Sequence, residues 1–357
     1  MNRFKIGKNT VGEGSPLYFV ADIAANHDGD LQRAYKLIEL AKKSGADAAK
    51  FQNFKAAKIV SKTGFDSMRS QLSHQANWKK SVNQVYDDAS VSYEWTSKLK
   101  LKCDEIGIEY FSSPYDFESV DHVDPFVNVY KIGSGDVTWH EIVDYIASKG
   151  KPVLIATGAS TLEEVEMAMD VLQKRTDKIV LMQCNTNYTA EMENFKFINL
   201  NVLKAYREMY PEVILGLSDH THGHATVLGA VALGARVFEK HFTDDNSREG
   251  PDHKFAMNPT SWAEMVKNAR ELYWAMGDGK KRIEDNEKNT SVVQRRALWF
   301  TKALKAGHIL STEDLFPLRP RKADGIPPYE KASLIGKKLI RDVTSDEYIR
   351  KVDVANA

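Results

Sequence analysis

"VILGLSDHTHGHATVLGAVALGARVFEKHF", residues 213–242, contains two apolar runs, each ending at a histidine. Residues 213–217 lead into Ser218-Asp219-His220, and Val237-Phe238 leads into Glu239-Lys240-His241. Runs of this length and β-branched content suit buried parallel strands, and the small-residue stretch between them suits a helix. Working outward, the same kind of run recurs at "LYFVADIA", "AAKFQNF", "IEYFSSP", "VNVYKIGS", "PVLIATG" and "KIVLMQC". Amphipathic stretches such as "LQRAYKLIELAKKSGA", "TLEEVEMAMDVLQKR" and "SWAEMVKNARELYWAMG" lie between the strands, with apolar residues three and four apart. Eight strands alternating with helices over about 275 residues predict an α/β chain with right-handed crossovers, closed into a (β/α)8 TIM barrel.

Composition narrows the partners. Among 357 residues, Lys+Arg and Asp+Glu are both 49, so no net charge draws nucleic acid or an anionic membrane surface. Only Cys103 and Cys184 are present, too few for a disulfide framework. The first residues lack an apolar signal core, and no run reaches the ~18 apolar residues of a membrane span. The expectation is a soluble, cytoplasmic protein without nucleic-acid or membrane partners.

In such a barrel the carboxyl ends of the strands converge on one mouth. The polar residues expected there include Asp22, Lys50, Gln52, Ser113, Lys131, Ser134, Asp136, Tyr188, Ser218, His220 and His241. Two lysines facing one mouth are costly to bury unpaired and repel each other, which a dianionic ligand would resolve. Lys50 and Lys131, with hydroxyls from Ser113, Ser134 and Ser218 and the backbone of "KIGSGD", make a cradle for phosphate and carboxylate. His220 and His241 end adjacent strands, so their imidazoles can meet at one divalent ion and leave positions open for water and substrate. His222 and His224 read as loop and helix-start residues.

The ordered motifs "VADIAANHDGD", "GADAAKFQNFKAAKIVS", "YFSSPYDF", "YKIGSGD", "ATGAS", "LMQCNTNY", "GLSDHT", "FEKHFT", "GPDHKFAMNP", "RRALW" and "LRPRKADGIPP" resemble the sialic acid synthase (N-acetylneuraminate synthase) family. The resemblance covers nearly the whole chain. It implies a transferase that joins phosphoenolpyruvate to an N-acyl hexose aldehyde, forming a nine-carbon 2-keto acid and releasing phosphate. Also implied are a barrel followed by a small, mostly β, antifreeze-like (SAF, β-clip) domain, and a homodimer in which that domain caps the partner's barrel. Carried over by motif, Lys50, Ser113, Lys131, Ser134 and Ser218 would bind phosphoenolpyruvate. His220 and His241 would hold a divalent metal, manganese foremost, with magnesium or cobalt as alternatives. Gln52, Tyr188 and Asp252 match sugar-facing positions, and Arg319 matches an arginine that reaches the sugar's N-acyl group from the partner chain.

Departures from the family pattern bear on the acceptor. Asp22 and Asp136 stand where the family has glutamate, Ala156 replaces a serine, and Thr186, expected among the substrate-binding residues, replaces an asparagine. Two shortened carboxylates at sugar-facing places suggest an altered or bulkier aldehyde, which leaves N-acetylmannosamine and a diacetamido sugar of the legionaminic or pseudaminic kind as the candidate acceptors. Asp22 and Asp136 are both candidates for the catalytic base. Rival readings are another phosphoenolpyruvate-dependent sugar-acid synthase, a sugar-phosphate aldolase, and a binding protein with an inactive barrel.

Composition changes after the barrel. Residues 1–276 form the catalytic domain in this reading, and the polar stretch "GDGKKRIEDNEKNTSV", 277–292, is an exposed linker. Residues 293–357 follow as short strand-like pieces with Gly and Pro turns. The long connection over about 55–90 carries amphipathic patches expected to form partial helices over the mouth.

Overall fold

The computed structural model describes residues 3–68, 75 and 78–356. It separates into one compact unit ending at Gly277 and a second beginning at Asp278. The first unit opens with an antiparallel hairpin, β1 (Arg3–Ile6) and β2 (Asn9–Gly12), that the periodic reading did not anticipate. Eight parallel strands then close into a barrel. They are β3 (Tyr18–Asp22), β4 (Ala48–Asn53), β5 (Glu109–Pro114), β6 (Tyr130–Ile132), β7 (Val153–Ala156), β8 (Ile179–Cys184), β9 (Ile214–Asp219) and β10 (Val237–His241). Ring closure comes from β10, which pairs with β9 on one side and β3 on the other.

The helices form where capping and apolar spacing agree. Asp30 accepts hydrogen bonds from the backbone N–H groups of Gln32 and Arg33 and starts the helix Leu31–Lys43. That helix buries Ala34, Leu37, Ile38 and Ala41, the i, i+3, i+4, i+7 stripe, against the strands. Inside the barrel space is tight at Gly216, where a Cβ would come within 2.8 Å of the Val237 carbonyl oxygen and 2.9 Å of Met182. Any side chain at this position would therefore push β9 away from β10.

Behind the same two strands, buried Lys240 pairs with Asp219, its neighbour in register. Thr221 and Thr226 donate their hydroxyls to Asp219 at 2.8 and 2.7 Å. A buried ion pair with every oxygen occupied is tolerated, and removing one partner would strand the other.

Among its described residues, the stretch 55–90 after β4 forms three short helices, Ala56–Ile59, Lys62–Ser67 and Val82–Ala89. A small apolar cluster around Ala56, Val60 and Val82 holds them together. Residues 69–74 and 76–77 of this connection lie outside the described residues.

The second unit begins with the stretch expected to be linker, which is exposed but carries a short helix, Lys288–Val293. Two antiparallel pairs follow, β11 (Ala297–Phe300) with β12 (Leu315–Leu318) and β13 (Lys338–Leu339) with β14 (Val354–Ala355). They share a separate core that includes Leu298, Phe300, Leu310, Leu315 and Ile349. Among the described residues no helix is long and apolar enough to cross a membrane.

Candidate functional site

Side chains on a strand alternate between its two faces, so residues two apart near a strand's carboxyl end look into the same mouth. Register places Asp22 of β3 between Lys50 of β4 and His241 of β10. Ser218 of β9 lies beside Glu239 of β10 on one side and Cys184 of β8 on the other. These residues line a cavity of about 370 Å³, together with Gln52, Lys131, Ser134, Asp136, Tyr188, His220 and Asp252. Trp78 and Tyr86, from the connection after β4, line it as well.

Lys50 and Lys131 are each 2% exposed, as buried as the sequence argument required. Contrary to the expectation of a dianion between them, the two ammonium groups do not need a ligand to balance them. Glu239 stands between them, its Oε2 3.3 Å from Lys50 Nζ and its Oε1 3.3 Å from Lys131 Nζ. Asp22 Oδ2 makes a second, shorter pair with Lys50 at 2.8 Å. Burial disfavours the Glu239 carboxylate, but Lys131 and then Lys50 outweigh it and hold its pKa down at about 2. Burial also pulls down both lysines. Asp22 and Glu239 more than reverse this at Lys50, whereas Lys131 stays below the ordinary lysine value.

The histidines face each other across the mouth with ring centroids 5.3 Å apart. His220 Nδ1 lies 2.8 Å from the Asn185 carbonyl, which can only accept, so Nδ1 carries the proton and Nε2 keeps its lone pair. Burial, then the neighbouring His241, lowers the His220 pKa to about 3, so its ring is neutral. His241 Nδ1 is buried without a hydrogen-bond partner among the described residues, 3.6 Å from Asp252 Oδ2. Its Nε2 is 3.6 Å from Asp22 Oδ2. Tyr188 packs on His220 with ring centroids 4.2 Å apart. The other two histidines take local roles: His222 contacts the Ala190 carbonyl, and His224 stands at the start of the helix Ala225–Ala232.

The two aspartates have different surroundings. Asp22 is engaged by Lys50, by the Gln52 side-chain amide at 3.3 Å and by the Ala24 N–H at 3.1 Å. Asp136 ends the 3₁₀ turn Ser134–Asp136, where burial raises its pKa to about 6 against the opposing effect of Lys131.

Three expected site residues stand off the cavity wall. Ser113 is buried behind Lys50, accepting from its Nζ at 3.4 Å. Thr186 packs its methyl group against Gly158, where a Cβ would come within 2.5 Å of it. Arg319 is exposed in the second unit. Ser134 lines the cavity and also accepts the Gly158 N–H at 2.9 Å.

Glu239 is not among the residues that the sequence pattern places at the mouth. The signal was present, since Glu239 and His241 are two apart on one strand and must share a face.

A profile of the NeuB family matches residues 37–281, and one of the SAF domain matches residues 295–355. An N,N'-diacetyllegionaminic acid synthase from Campylobacter jejuni is 36% identical over 336 residues, covering 93% of this chain and 98% of its own. A pseudaminic acid synthase from the same species is 32% identical, covering 94% of this chain and 96% of its own. In fold, the chain matches the crystal structure of an N-acetylneuraminic acid synthetase from Leptospira borgpetersenii with a TM-score of 0.70 at 24% identity, over 81% of this chain and 95% of that one. The chain belongs to the NeuB family.

The charge arrangement can be tested without reference to any reaction. Glu239→Gln leaves two buried ammonium groups short of one counter-charge and should destabilise the first unit by about 3–5 kcal/mol. Inorganic phosphate should then raise the melting temperature of this variant more than that of the wild type. Equal shifts in scanning calorimetry would mean that Glu239 does not balance the lysines.

Proposed function

We propose that the barrel mouth condenses phosphoenolpyruvate with the open-chain aldehyde of an N-acyl amino sugar, giving a nine-carbon 2-keto sugar acid and inorganic phosphate. The observation that carries this reading is the pairing, in one cavity, of a buried two-lysine wall with a two-imidazole wall. The lysine wall suits a substrate with a carboxylate and a phosphate. Binding exchanges the Glu239 contacts of Lys50 and Lys131 for substrate oxygens, and the Ser218 hydroxyl, now 3.1 Å from Glu239, stands beside the same oxygens.

The residues present fit a divalent ion. An orphaned imidazole nitrogen on His241, a lone pair on neutral His220 and the nearby carboxylates of Asp22 and Asp252 form a nitrogen and oxygen donor set of the kind manganese, magnesium or cobalt accept. Among the described residues no group of three or more His, Cys, Asp or Glu side chains is arranged as a metal cage, so water and substrate would complete the coordination of an ion on the two histidines. When bound, such an ion would supply Lewis-acid polarisation of the aldehyde oxygen.

The remaining steps belong to the chain and the substrates. The enol C3 of phosphoenolpyruvate attacks the aldehyde carbon, and positive charge develops at C2. Lys50 and Lys131 hold the carboxylate and phosphate in place while water adds to C2. The bond between C2 and the bridging oxygen then breaks, and phosphate leaves with that oxygen. Asp136 is better suited than Asp22 to take the proton from the water, because Asp22 is committed to Lys50, Gln52 and the Ala24 N–H.

The acceptor is best read as a diacetamido sugar. The shorter Asp22 and Asp136 leave room at the sugar end, and Tyr86 and Trp78 supply an aromatic wall there. Arg319, exposed in the second unit, would meet the N-acyl group in a homodimer, its planar fork gripping a carbonyl.

Four measurements test this reading. Mass spectrometry of phosphoenolpyruvate incubated with a panel of N-acyl hexoses should find a 2-keto acid three carbons longer than the acceptor, preferentially with diacetamido sugars. No product with any of them, and no phosphate release, would remove the assignment. For Asp136, deprotonation activates the base, so kcat/KM should climb as pH rises through about 6. Asp136→Asn should abolish that limb and cost about 10²–10⁴-fold in rate. Arg319→Ala should raise the KM for the sugar by roughly 10-fold or more while that for phosphoenolpyruvate stays put. A monomer in sedimentation equilibrium would exclude a contribution from a partner chain.

A further inference from the structure

The segment between β10 and the helix Pro259–Met276 carries Asp252, and it is anchored at a point the chemistry does not explain. His253, the next residue, is fully buried. Its Nε2 lies 2.9 Å from Asp28 Oδ1 and its Nδ1 2.7 Å from the Thr243 hydroxyl. A carboxylate only accepts, so Nε2 donates to Asp28, and the ring bridges that carboxylate and the Thr243 hydroxyl. The other oxygen of Asp28 pairs with Arg248 Nη2 at 2.7 Å and lies 3.2 Å from Arg33 Nε, whose N–H donates to the Asn26 carbonyl at 2.8 Å. Arg33 also reaches Asp244 through Nη1 at 3.3 Å. Thus one carboxylate in the turn after β3 gathers three cationic or donor side chains, two of them from the segment that bears Asp252.

The approach is close enough to dictate the residue at position 250. A Cβ on Gly250 would come within 2.6 Å of His253 Cδ2, so a larger residue there must push the ring away from Asp28. Two further contacts tie the latch to the mouth. Asp252 Oδ2 accepts the Ala25 N–H at 3.3 Å, from the same turn as Asp28, and stands 3.6 Å from His241 Nδ1. The Met257 N–H donates to the His241 carbonyl at 2.8 Å.

From this geometry we infer that Asp28 and His253 are positioning residues that set the Asp252 carboxylate against His241 and thereby orient the acceptor sugar. The inference rests on the functional reading above, since Asp252 lines the cavity in which that reading places the sugar, beside His241. Neither residue touches the cavity; the pair acts by fixing the segment in register with the turn after β3. A displacement of about 1 Å in an orienting group costs up to 10²-fold in rate.

Asp28→Asn is the informative variant, since Asn tolerates the left-handed backbone that Asp28 adopts at φ 52° while losing the charge. Gly250→Ala perturbs the same contact from the surface. Each should raise the sugar KM and lower kcat by a combined 10- to 100-fold. The KM for phosphoenolpyruvate should stay within about twofold. In an Asp252→Asn background Asp28→Asn should add little, because both act through one carboxylate. Hydrogen–deuterium exchange over 244–258 should accelerate in both single variants. Additive losses in the double variant, or unchanged sugar kinetics with unchanged exchange, would overturn the inference. Should the wild type turn over none of the aldehydes, the functional reading falls, and the exchange rates alone then decide whether the latch exists.

Discussion

The mouth of the barrel depends on placing four ionised side chains where water barely reaches. Lys50, Lys131, Asp22 and Glu239 are each at most 4% exposed. Any one of them alone would be driven to its neutral form; together they form a balanced set, two positive and two negative. The shared carboxylate matters most. Glu239 lets two ammonium groups face one cavity without repelling each other, and it lies where an incoming anion can take over its contacts. The protein therefore holds Lys50 and Lys131 in place inside the cavity, each beside a carboxylate that offsets its charge.

That balance also explains the division between the two aspartates. Asp22 sits in the strand register between Lys50 and His241, so its carboxylate is bound into the ion-pair set. Asp136 lies one turn past β6, beyond direct reach of the lysine partners, and burial acts on it with only Lys131 in opposition. Asp22 is bound into ion pairs, whereas burial raises the pKa of Asp136 to about 6.

Much of this was legible before any coordinates. The eight apolar runs mapped onto the eight barrel strands because a strand buried on both faces has no choice but to be continuously apolar until its polar end. Lys50, Lys131, His220 and His241 stood out because they interrupt such runs. Glu239 escaped for a related reason: in "FEKHF" it looks like half of an exposed charged pair with Lys240, whereas alternation sends the two to opposite faces. The opening hairpin was hidden by its polar content, since "RFKIGKNTVG" holds few apolar residues and its strands are four residues each. The latch between Asp28 and His253 joins positions 225 apart in sequence, a pairing that no local pattern encodes.

Lys240 and Asp219 supply the last element of the arrangement. Each precedes one of the facing histidines by a single residue, and the two are paired in register on the outer side of β9 and β10. A buried ion pair discriminates sharply against a slipped register, because a shift of one residue would carry Lys240 into the barrel and His241 out of it. The rings of His220 and His241 therefore meet across the mouth because the charges behind them admit only one alignment of the two strands. Precision at the front of the site is set by polar chemistry on the face that never sees the substrate.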